Sequence, residues 1–216
     1  MPFPQIIAVA VPVVAVAQVV AVALHREKLA ARLKLVPMLG LIAVLAPELA
    51  GFPAGQWFLA GLVLCMVGDA LLIRHSATAF LMGLGAFLVG HVLYVLAFVA
   101  GPSVSSPWQV VAPLALLPLA GVGIARVVPG ARRQGGWALA GPVVAYLVVI
   151  GAMVVAAGST GRALLVLGAV LFAVSDLVLG LNRFVRPLRW GPTAVMSTYY
   201  LAQFLLAGGM LAAAPS

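Results

Sequence analysis

Charged residues are scarce in this sequence. Lys, Arg, Asp and Glu make up only 7% of its 216 residues, whereas apolar residues make up 65% and the mean hydropathy is +1.23. A soluble domain normally carries about 25% charged residues, so this composition excludes one. Each membrane crossing needs roughly 20 residues of helix. Since eight crossings leave no room for a soluble domain, we expect a single transmembrane domain over residues 1–216.

Cysteine and histidine are equally rare, and several catalytic motifs are missing. Cys65 is the only cysteine, which excludes a disulfide framework. Of the three histidines, His25 and His75 fall in loops, and none forms the i, i+4 pair of a helical zinc site. The sequence also has no GxSxG elbow and no Walker motif. These absences disfavour a zinc hydrolase, a serine lipase and an ATP-driven pump, and we expect neither a metal nor another cofactor.

The apolar residues form long runs separated by short gaps. Helices are the expected structure, because a lipid-exposed strand would leave backbone polar groups without partners, and no alternating pattern indicates a barrel. The predicted fold is therefore all-α and polytopic. Its eight transmembrane helices are expected at about 6–24, 35–50, 56–73, 78–99, 108–128, 137–157, 163–181 and 192–211.

The basic residues lie almost entirely in gaps that follow odd-numbered runs, and only Arg162 lies on the other side. Because Lys and Arg stay on the cytoplasmic side, both termini are predicted to lie outside. Membrane topology also explains the net charge of +8, so no nucleic-acid partner is expected. The Ala-, Val- and Gly-rich composition indicates a bacterial source, and hence the inner membrane.

The two halves of the chain contain similar segments. GLVLCMVGDALL at 61–72 matches GAVLFAVSDLVL at 168–179 in register, with Asp69 over Asp176. A tyrosine follows one helix later in each half, Tyr94 in the first and Tyr199 or Tyr200 in the second. Since four helices separate the copies, they would be two parallel four-helix repeats. Chance similarity among the few residue types of membrane helices is the alternative.

Asp69 and Asp176 are the acidic residues predicted well inside helices, since Glu27 lies in a basic gap and Glu48 near the outer end of a helix. A carboxylate in the middle of a membrane helix costs roughly 2.5–3.5 kcal/mol, so it usually faces a protein interior or a water-filled cavity. Both lie roughly 7–11 Å inside the cytoplasmic end at 1.5 Å per residue, and they could share one pocket. Two adjacent carboxyl groups there would leave one acid beside one carboxylate. The alternative is a neutral aspartate that bridges helices.

Other polar side chains on the predicted helices could reach the same cavity. His91 and Tyr94 share a face of the fourth helix, although a structural histidine is an equal alternative. Ser197, Tyr200 and Gln203 form a polar stripe on the last helix, for which hydrogen bonding between helices is the alternative. Lys34, at the cytoplasmic surface, could meet a lipid phosphate or simply extend its ammonium to the interface.

Five segments, in order along the chain, resemble the lysoplasmalogenase family, the YhhN-like membrane proteins that include animal enzymes cleaving lysoplasmalogens. They are KLVP at 34–37, VGDALLI at 67–73, GHVLY at 90–94, SDLVLGLNRF at 175–184 and MSTYYLAQ at 196–203. The eight-helix layout matches as well. The resemblance implies an all-α membrane hydrolase whose partners are a lysophospholipid substrate and the surrounding lipids.

The resemblance implies hydrolysis of the vinyl-ether bond of a lysoplasmalogen, giving a fatty aldehyde and glycerophosphoethanolamine or glycerophosphocholine. It assigns catalysis to Asp69 and Asp176. One aspartic acid would protonate the alkenyl β-carbon, and the other carboxylate would stabilise the oxocarbenium ion or activate water. Asp69 is the expected proton donor, with the reverse assignment open. The resemblance gives supporting or substrate-binding roles to Lys34, His91, Ser175, Asn182, Ser197, Tyr199, Tyr200 and Gln203.

A proton- or cation-coupled transporter is the alternative function, because paired membrane carboxylates also form ion sites. Transport requires a path open to both faces of the membrane. Asp69 and Asp176 are both predicted toward the cytoplasmic side, which favours the hydrolase. A non-catalytic lipid-binding scaffold would leave the two aspartates unexplained.

Overall fold

The computed structural model describes residues 3–74, 76–101 and 103–214, and within these ranges all regular structure is helical. His75 and the terminal residues 1–2 and 215–216, whose side of the membrane the sequence predicts, lie outside the described ranges. The helices are α1 (Phe3–Ala23), α2 (Glu27–Leu33), α3 (Val36–Leu49), α4 (Pro53–Leu72), α5 (Ala77–Val99), α6 (Trp108–Val122), α7 (Val128–Ser159), α8 (Ala163–Phe184) and α9 (Gly191–Leu211), with a π-helical turn at Gly123–Val127.

Six helical segments in the described part of the chain are long and apolar enough to cross a membrane. An all-α membrane protein is therefore confirmed, whereas the count of eight crossings is not. The six segments are Glu27–Leu49, Pro53–Leu72, Ala77–Val99, Trp108–Ser159, Ala163–Phe184 and Gly191–Leu211.

The difference between eight and six arises at two places. The segment Trp108–Ser159 is 52 residues long and contains two of the predicted runs, because helix extends past the end of the first run through residues 129–134, up to a kink before the second run. Within it, Gly135 and Gly136 have non-helical backbone angles, and Gly136 has a φ of 61°, which glycine adopts readily. The first predicted run, 6–24, corresponds to α1 (Phe3–Ala23), of which the apolar stretch Val9–Ala23 is shorter than the six segments above.

The chain divides into two compact units. The first unit comprises the described residues up to Ala100 and from Met210 onward, and the second comprises those from Gly101 to Gly209. In the first unit α3 packs against α1 and α4, and α4 packs against α5. In the second unit α6, α7 and α8 contact one another. The single domain and the two parallel repeats stay predictions.

Glycines allow α4 and α5 of the first unit to approach closely. Gly61 and Gly68 of α4 face the rings of Tyr94 and Phe87 of α5, and a Cβ at either glycine would lie 2.6 Å from its ring. Small residues at contacts between membrane helices permit such close approach. The packing at Gly68 also fixes the position of Asp69, the next residue on α4.

A similar contact joins α8 and α9 in the second unit. A Cβ at Gly168 of α8 would lie 2.8 Å from the Leu206 side chain and 3.0 Å from the Leu206 backbone nitrogen. A Cβ at Gly209 of α9 would lie 2.6 Å from Leu165. Gly168 corresponds to Gly61 in the two similar segments, so each segment has a glycine at a close helix contact.

Candidate active site

Asp69 and Lys34 form an ion pair in the first unit. Lys34 Nζ lies 3.4 Å from Asp69 Oδ1, and the two side chains are 14% and 4% exposed. Asp69 lies three residues before the end of α4, and Lys34 lies between α2 and α3. The chain starts a new helix after Lys34 because Pro37 lies in the first turn of α3, where its missing N–H costs no helical hydrogen bond. The structure thus brings Lys34 to a candidate catalytic carboxylate.

Asp176 accepts a hydrogen bond from a tyrosine in the second unit. Tyr146 of α7 donates its hydroxyl to Asp176 Oδ2 over 2.6 Å. Tyr146 is buried, and Asp176, eight residues before the end of α8, is half-buried. Tyr146 is not among the residues predicted from the sequence. The available signal was that Tyr146 is the only hydroxyl-bearing residue in the apolar run 137–157.

His91 and Tyr94 lie fully buried where α5 packs against α4. The Tyr94 ring stacks on Phe58 of α4 with 4.9 Å between ring centroids, and the His91 ring lies 6.1 Å away in an edge contact. Phe87 and Phe98 extend this row along α5. The structure therefore brings His91 and Tyr94 together, as their spacing predicts, in an aromatic row.

Three of the predicted supporting residues make hydrogen bonds to the backbone. Ser175 donates its hydroxyl to the Val195 carbonyl over 3.0 Å, which links α8 to α9. Asn182 Oδ1 accepts from the Leu188 N–H at 2.7 Å and so holds the connection after α8. Ser197 is exposed and donates to a carbonyl of its own helix. These contacts fix the course of the chain from α8 into α9.

Tyr199, Tyr200 and Gln203 are buried on α9. The Tyr199 ring meets Phe172 of α8 edge-on with 5.3 Å between centroids, and lies 5.5 Å from the Tyr200 ring. Gln203 is completely buried, one turn further along. The predicted polar stripe of the last helix is therefore largely inside the protein, apart from Ser197.

The candidate residues thus form two polar contacts, one in each unit. Asp69 has a cationic partner and Asp176 has a neutral hydroxyl partner. Carboxyl groups with such partners can donate or accept protons. Among the residues that the structure describes, no three His, Cys, Asp or Glu side chains are grouped so as to hold a metal ion. That Asp69 and Asp176 share a pocket stays a prediction.

The chain is similar to known membrane proteins over most of its length. It is 34% identical to human lysoplasmalogenase TMEM86A over 170 residues, which cover 72% of this chain and 65% of the relative. It is 33% identical to pig lysoplasmalogenase TMEM86B over 180 residues, covering 82% and 73%. The lysoplasmalogenase of Mycobacterium bovis is 31% identical over 174 residues, covering 77% and 66%. No solved structure matches this chain significantly.

The match to the human relative spans slightly less than two thirds of that protein's own length. The model of the YhhN family matches residues 28–210, a range that includes both aspartates and all of the predicted supporting residues. The resemblance found in the sequence motifs is therefore confirmed, and the chain belongs to the YhhN family.

Proposed function

We propose that this chain is a membrane-embedded hydrolase that cleaves the vinyl-ether bond of lysoplasmalogens. The similarity to relatives named lysoplasmalogenase from mammals and mycobacteria carries the proposal. The products are a fatty aldehyde and a glycerophospho-alcohol, either glycerophosphoethanolamine or glycerophosphocholine. The substrate is a lysophospholipid that reaches the protein from the surrounding membrane.

Asp69 and Asp176 are the proposed catalytic residues, and the reaction needs only these carboxyl groups and water. One aspartic acid gives its proton to the alkenyl β-carbon, which turns the α-carbon into an oxocarbenium ion. The other, as a carboxylate, stabilises that cation or takes a proton from the water that attacks it. The resulting hemiacetal loses the glycerophospho-alcohol and becomes the aldehyde. Vinyl ether and water are thereby converted into aldehyde and alcohol.

The contacts of the two aspartates support a division of roles between them. Asp69 is paired with the Lys34 ammonium, which suits the residue that works as a carboxylate. Asp176 contacts a neutral phenol, which suits the residue that carries a proton before the reaction. We therefore assign proton donation to Asp176 and the carboxylate role to Asp69, which reverses the assignment expected from the sequence.

We propose supporting or substrate-binding roles for the remaining candidate residues. Lys34 is the ion-pair partner of Asp69. Ser175 and Asn182 support α8, the helix of Asp176, through their backbone hydrogen bonds. The buried polar groups on α5 and α9 are the proposed substrate contacts, together with the exposed hydroxyl of Ser197. These groups are His91, Tyr94, Tyr199, Tyr200 and Gln203.

The proposed topology has eight crossings, with both termini outside the inner membrane of a bacterium. The 52-residue segment Trp108–Ser159 is more than twice the roughly 20 residues that one crossing needs. Its break at Gly135 and Gly136 adjoins exposed Arg132 and Arg133, and the Arg132 guanidinium lies 5.0 Å from the Trp137 ring centroid. An arginine beside a tryptophan suits the membrane–water interface. The Gly-Gly break would then be a cytoplasmic turn between two crossings.

Purified protein incubated with an alkenyl lysophospholipid should release fatty aldehyde. Asp69→Asn and Asp176→Asn should each lower turnover about 100-fold or more, because loss of an acid or base typically costs that much. Asparagine nearly preserves the side-chain shape, so both variants should fold. Glu48→Gln, which neutralises an exposed carboxylate on α3, is the control. Lack of aldehyde release from folded wild-type protein, or near-full activity of either asparagine variant, would contradict the proposal.

A further inference from the structure

Tyr146 contacts a proposed catalytic carboxyl group from a helix that carries no family motif. It lies ten residues after the break at Gly136, in a segment otherwise built from apolar side chains and glycine. Val143 and Ile150 are buried on the same face of α7, one turn before and one turn after it. Tyr146 therefore lies on a buried face of α7, and its hydroxyl reaches α8 at Asp176.

The hydrogen bond of Tyr146 specifies one of the two oxygens of Asp176. The hydroxyl donates to Oδ2 over 2.6 Å, at the short end of the range for hydroxyl donors. A carboxylic acid accepts at its carbonyl oxygen and carries its proton on the other oxygen. A donor fixed on Oδ2 therefore makes Oδ1 the oxygen that carries the proton.

We propose that Tyr146 is a positioning residue that orients the Asp176 carboxyl group and keeps its transferable proton on Oδ1. This inference rests on the proposed function and extends it to a residue outside the five segments that resemble the family. The proton on Oδ1 passes to the alkenyl β-carbon, and the electron pair of the O–H bond stays on the carboxyl group. Tyr146 keeps its own proton throughout and donates to Oδ2 before and after the transfer.

The same hydrogen bond becomes stronger during the reaction. Hydrogen bonds to an ionised acceptor are roughly twice as strong as those between neutral groups. As the proton leaves Asp176, negative charge develops on the carboxyl group that accepts from Tyr146. An interaction that is stronger in the transition state than in the ground state raises kcat rather than substrate affinity. Tyr146 should therefore act on kcat and leave KM nearly unchanged.

The first unit shows a different partner at the corresponding aspartate. Lys34, which precedes α4 in the chain, contacts Asp69, and Tyr146, on the helix that precedes α8, contacts Asp176. The partner is a cation in one case and a neutral donor in the other. A cation favours the ionised form of a neighbouring carboxyl group, whereas a neutral hydroxyl can also donate to a protonated one. The proposed proton donor, Asp176, is the aspartate with the neutral partner, so we assign the positioning role to Tyr146.

The test compares Tyr146→Phe with wild type and with Ser159→Ala. Ser159 is a matched control, because it also lies on α7 and its hydroxyl bonds only to a carbonyl of its own helix among the contacts observed. Tyr146→Phe should lower kcat about tenfold or more, with KM changed less than twofold, since net hydrogen bonds to charged groups correspond to roughly this factor. Ser159→Ala should remain within twofold of wild type in both constants.

Two further measurements separate positioning from packing. The pH profile of kcat should move in Tyr146→Phe and stay in place in Ser159→Ala, because only the first variant alters the surroundings of the acid. Melting temperature in detergent should stay near that of wild type in Tyr146→Phe, whereas Tyr146→Leu, which also removes the ring, should lower it.

The outcomes distinguish this inference from the proposed function. An unchanged kcat in Tyr146→Phe, an unmoved pH profile, or a rise in KM as large as the fall in kcat would overturn the role of Tyr146. If Asp176→Asn is inactive in the same experiment, the proposed function stands even then. If Asp176→Asn keeps near-full activity, the acid role of Asp176 fails, and the role of Tyr146 fails with it.

Discussion

Asp69 and Asp176 lie in similar sequence contexts but have different chemical partners. A buried ion pair such as that of Lys34 and Asp69 adds little stability in total, because both charges are removed from water. Removing one partner is far more harmful, since the other charge is left buried and uncompensated. We therefore expect a substitution that removes only one of the two charges, at Lys34 or at Asp69, to destabilise the protein more than one that removes both.

Lys34→Met should destabilise the protein by about 3 kcal/mol, because it leaves the Asp69 carboxylate buried without its cation. The double variant Lys34→Met/Asp69→Asn removes both charges and should recover most of that loss. Lys28→Met, at an exposed position on α2, is the control and should have little effect. Denaturant unfolding in detergent measures all three variants. Equal stability of Lys34→Met and wild type would show that the ion pair does not form in solution.

At the residue scale, the sequence predicts Asp69 and Asp176 as the catalytic candidates, but it does not predict which side chains contact their carboxyl groups. Asp69 and Asp176 are conspicuous because charge is costly inside a membrane helix. Their partners depend on helix packing, which places Lys34 beside a residue 35 positions later and Tyr146 beside one 30 positions later. No motif surrounds Tyr146 in the sequence. Only its isolated hydroxyl in an apolar run could have indicated that it contacts a carboxyl group.

The helices themselves follow the apolar runs closely where loops are short. The predicted runs 78–99 and 192–211 correspond to α5 (Ala77–Val99) and α9 (Gly191–Leu211). The structure departs from the predicted runs at residues 129–134, where hydropathy falls but helix continues up to the break at Gly135 and Gly136, because backbone hydrogen bonds do not depend on side-chain polarity. Gln134 also donates to the carbonyls of Arg183 and Phe184 at 3.4 Å, which ties this polar stretch to the end of α8. Such a contact cannot be inferred from composition.

At the element scale, the close contact of α4 with α5 should be sensitive to a single methyl group. Gly68→Ala places a Cβ 2.6 Å from the Phe87 ring, so α4 or the ring must move. We expect a loss of about 1–3 kcal/mol, as in other overpacked interiors, with a fall in activity because Asp69 moves with α4. Thermal unfolding in detergent and aldehyde release measure the two effects.

Gly85→Ala is the matched control for that change. Gly85 also lies on a membrane helix of the first unit, but a Cβ there would have nothing within 4 Å. Alanine has the higher helix propensity, so Gly85→Ala should be neutral or slightly stabilising. If both alanine variants behave alike, the close packing of α4 and α5 is not what limits stability.

At the scale of the whole molecule, the distribution of basic residues predicts the orientation in the membrane. A reporter fused at the C-terminus should give an exterior signal, and one inserted near Arg132 should give a cytoplasmic signal, because the positive gaps remain inside. The second insertion also tests the proposed turn at Gly135 and Gly136. A cytoplasmic signal at the C-terminus, or an exterior signal near Arg132, would contradict the orientation and the eight-crossing topology.

The proposed chemistry also predicts which bond the whole protein selects. A vinyl ether is activated by protonation of carbon, which a carboxylic acid can supply, whereas an acyl ester needs an attacking oxygen and an oxyanion hole. The sequence has no recognisable motif for either of these. We therefore expect an acyl lysophospholipid of matched chain length to bind and inhibit competitively without being cut.

A single assay tests this expectation. It measures the aldehyde and the fatty acid released from matched alkenyl and acyl lysophospholipids, with and without a chelator. Aldehyde should form from the alkenyl lipid alone, at a rate that the chelator leaves unchanged, because the proposed steps use carboxyl groups rather than a metal-bound water. A diacyl-type plasmalogen should react poorly, since its second chain would have to be buried beside the polar head-group end of the site. Efficient fatty-acid release, or loss of aldehyde release on chelation alone, would contradict acid catalysis by Asp69 and Asp176. Substrate uptake into vesicles without any aldehyde would instead favour the transporter that the paired aspartates also allow.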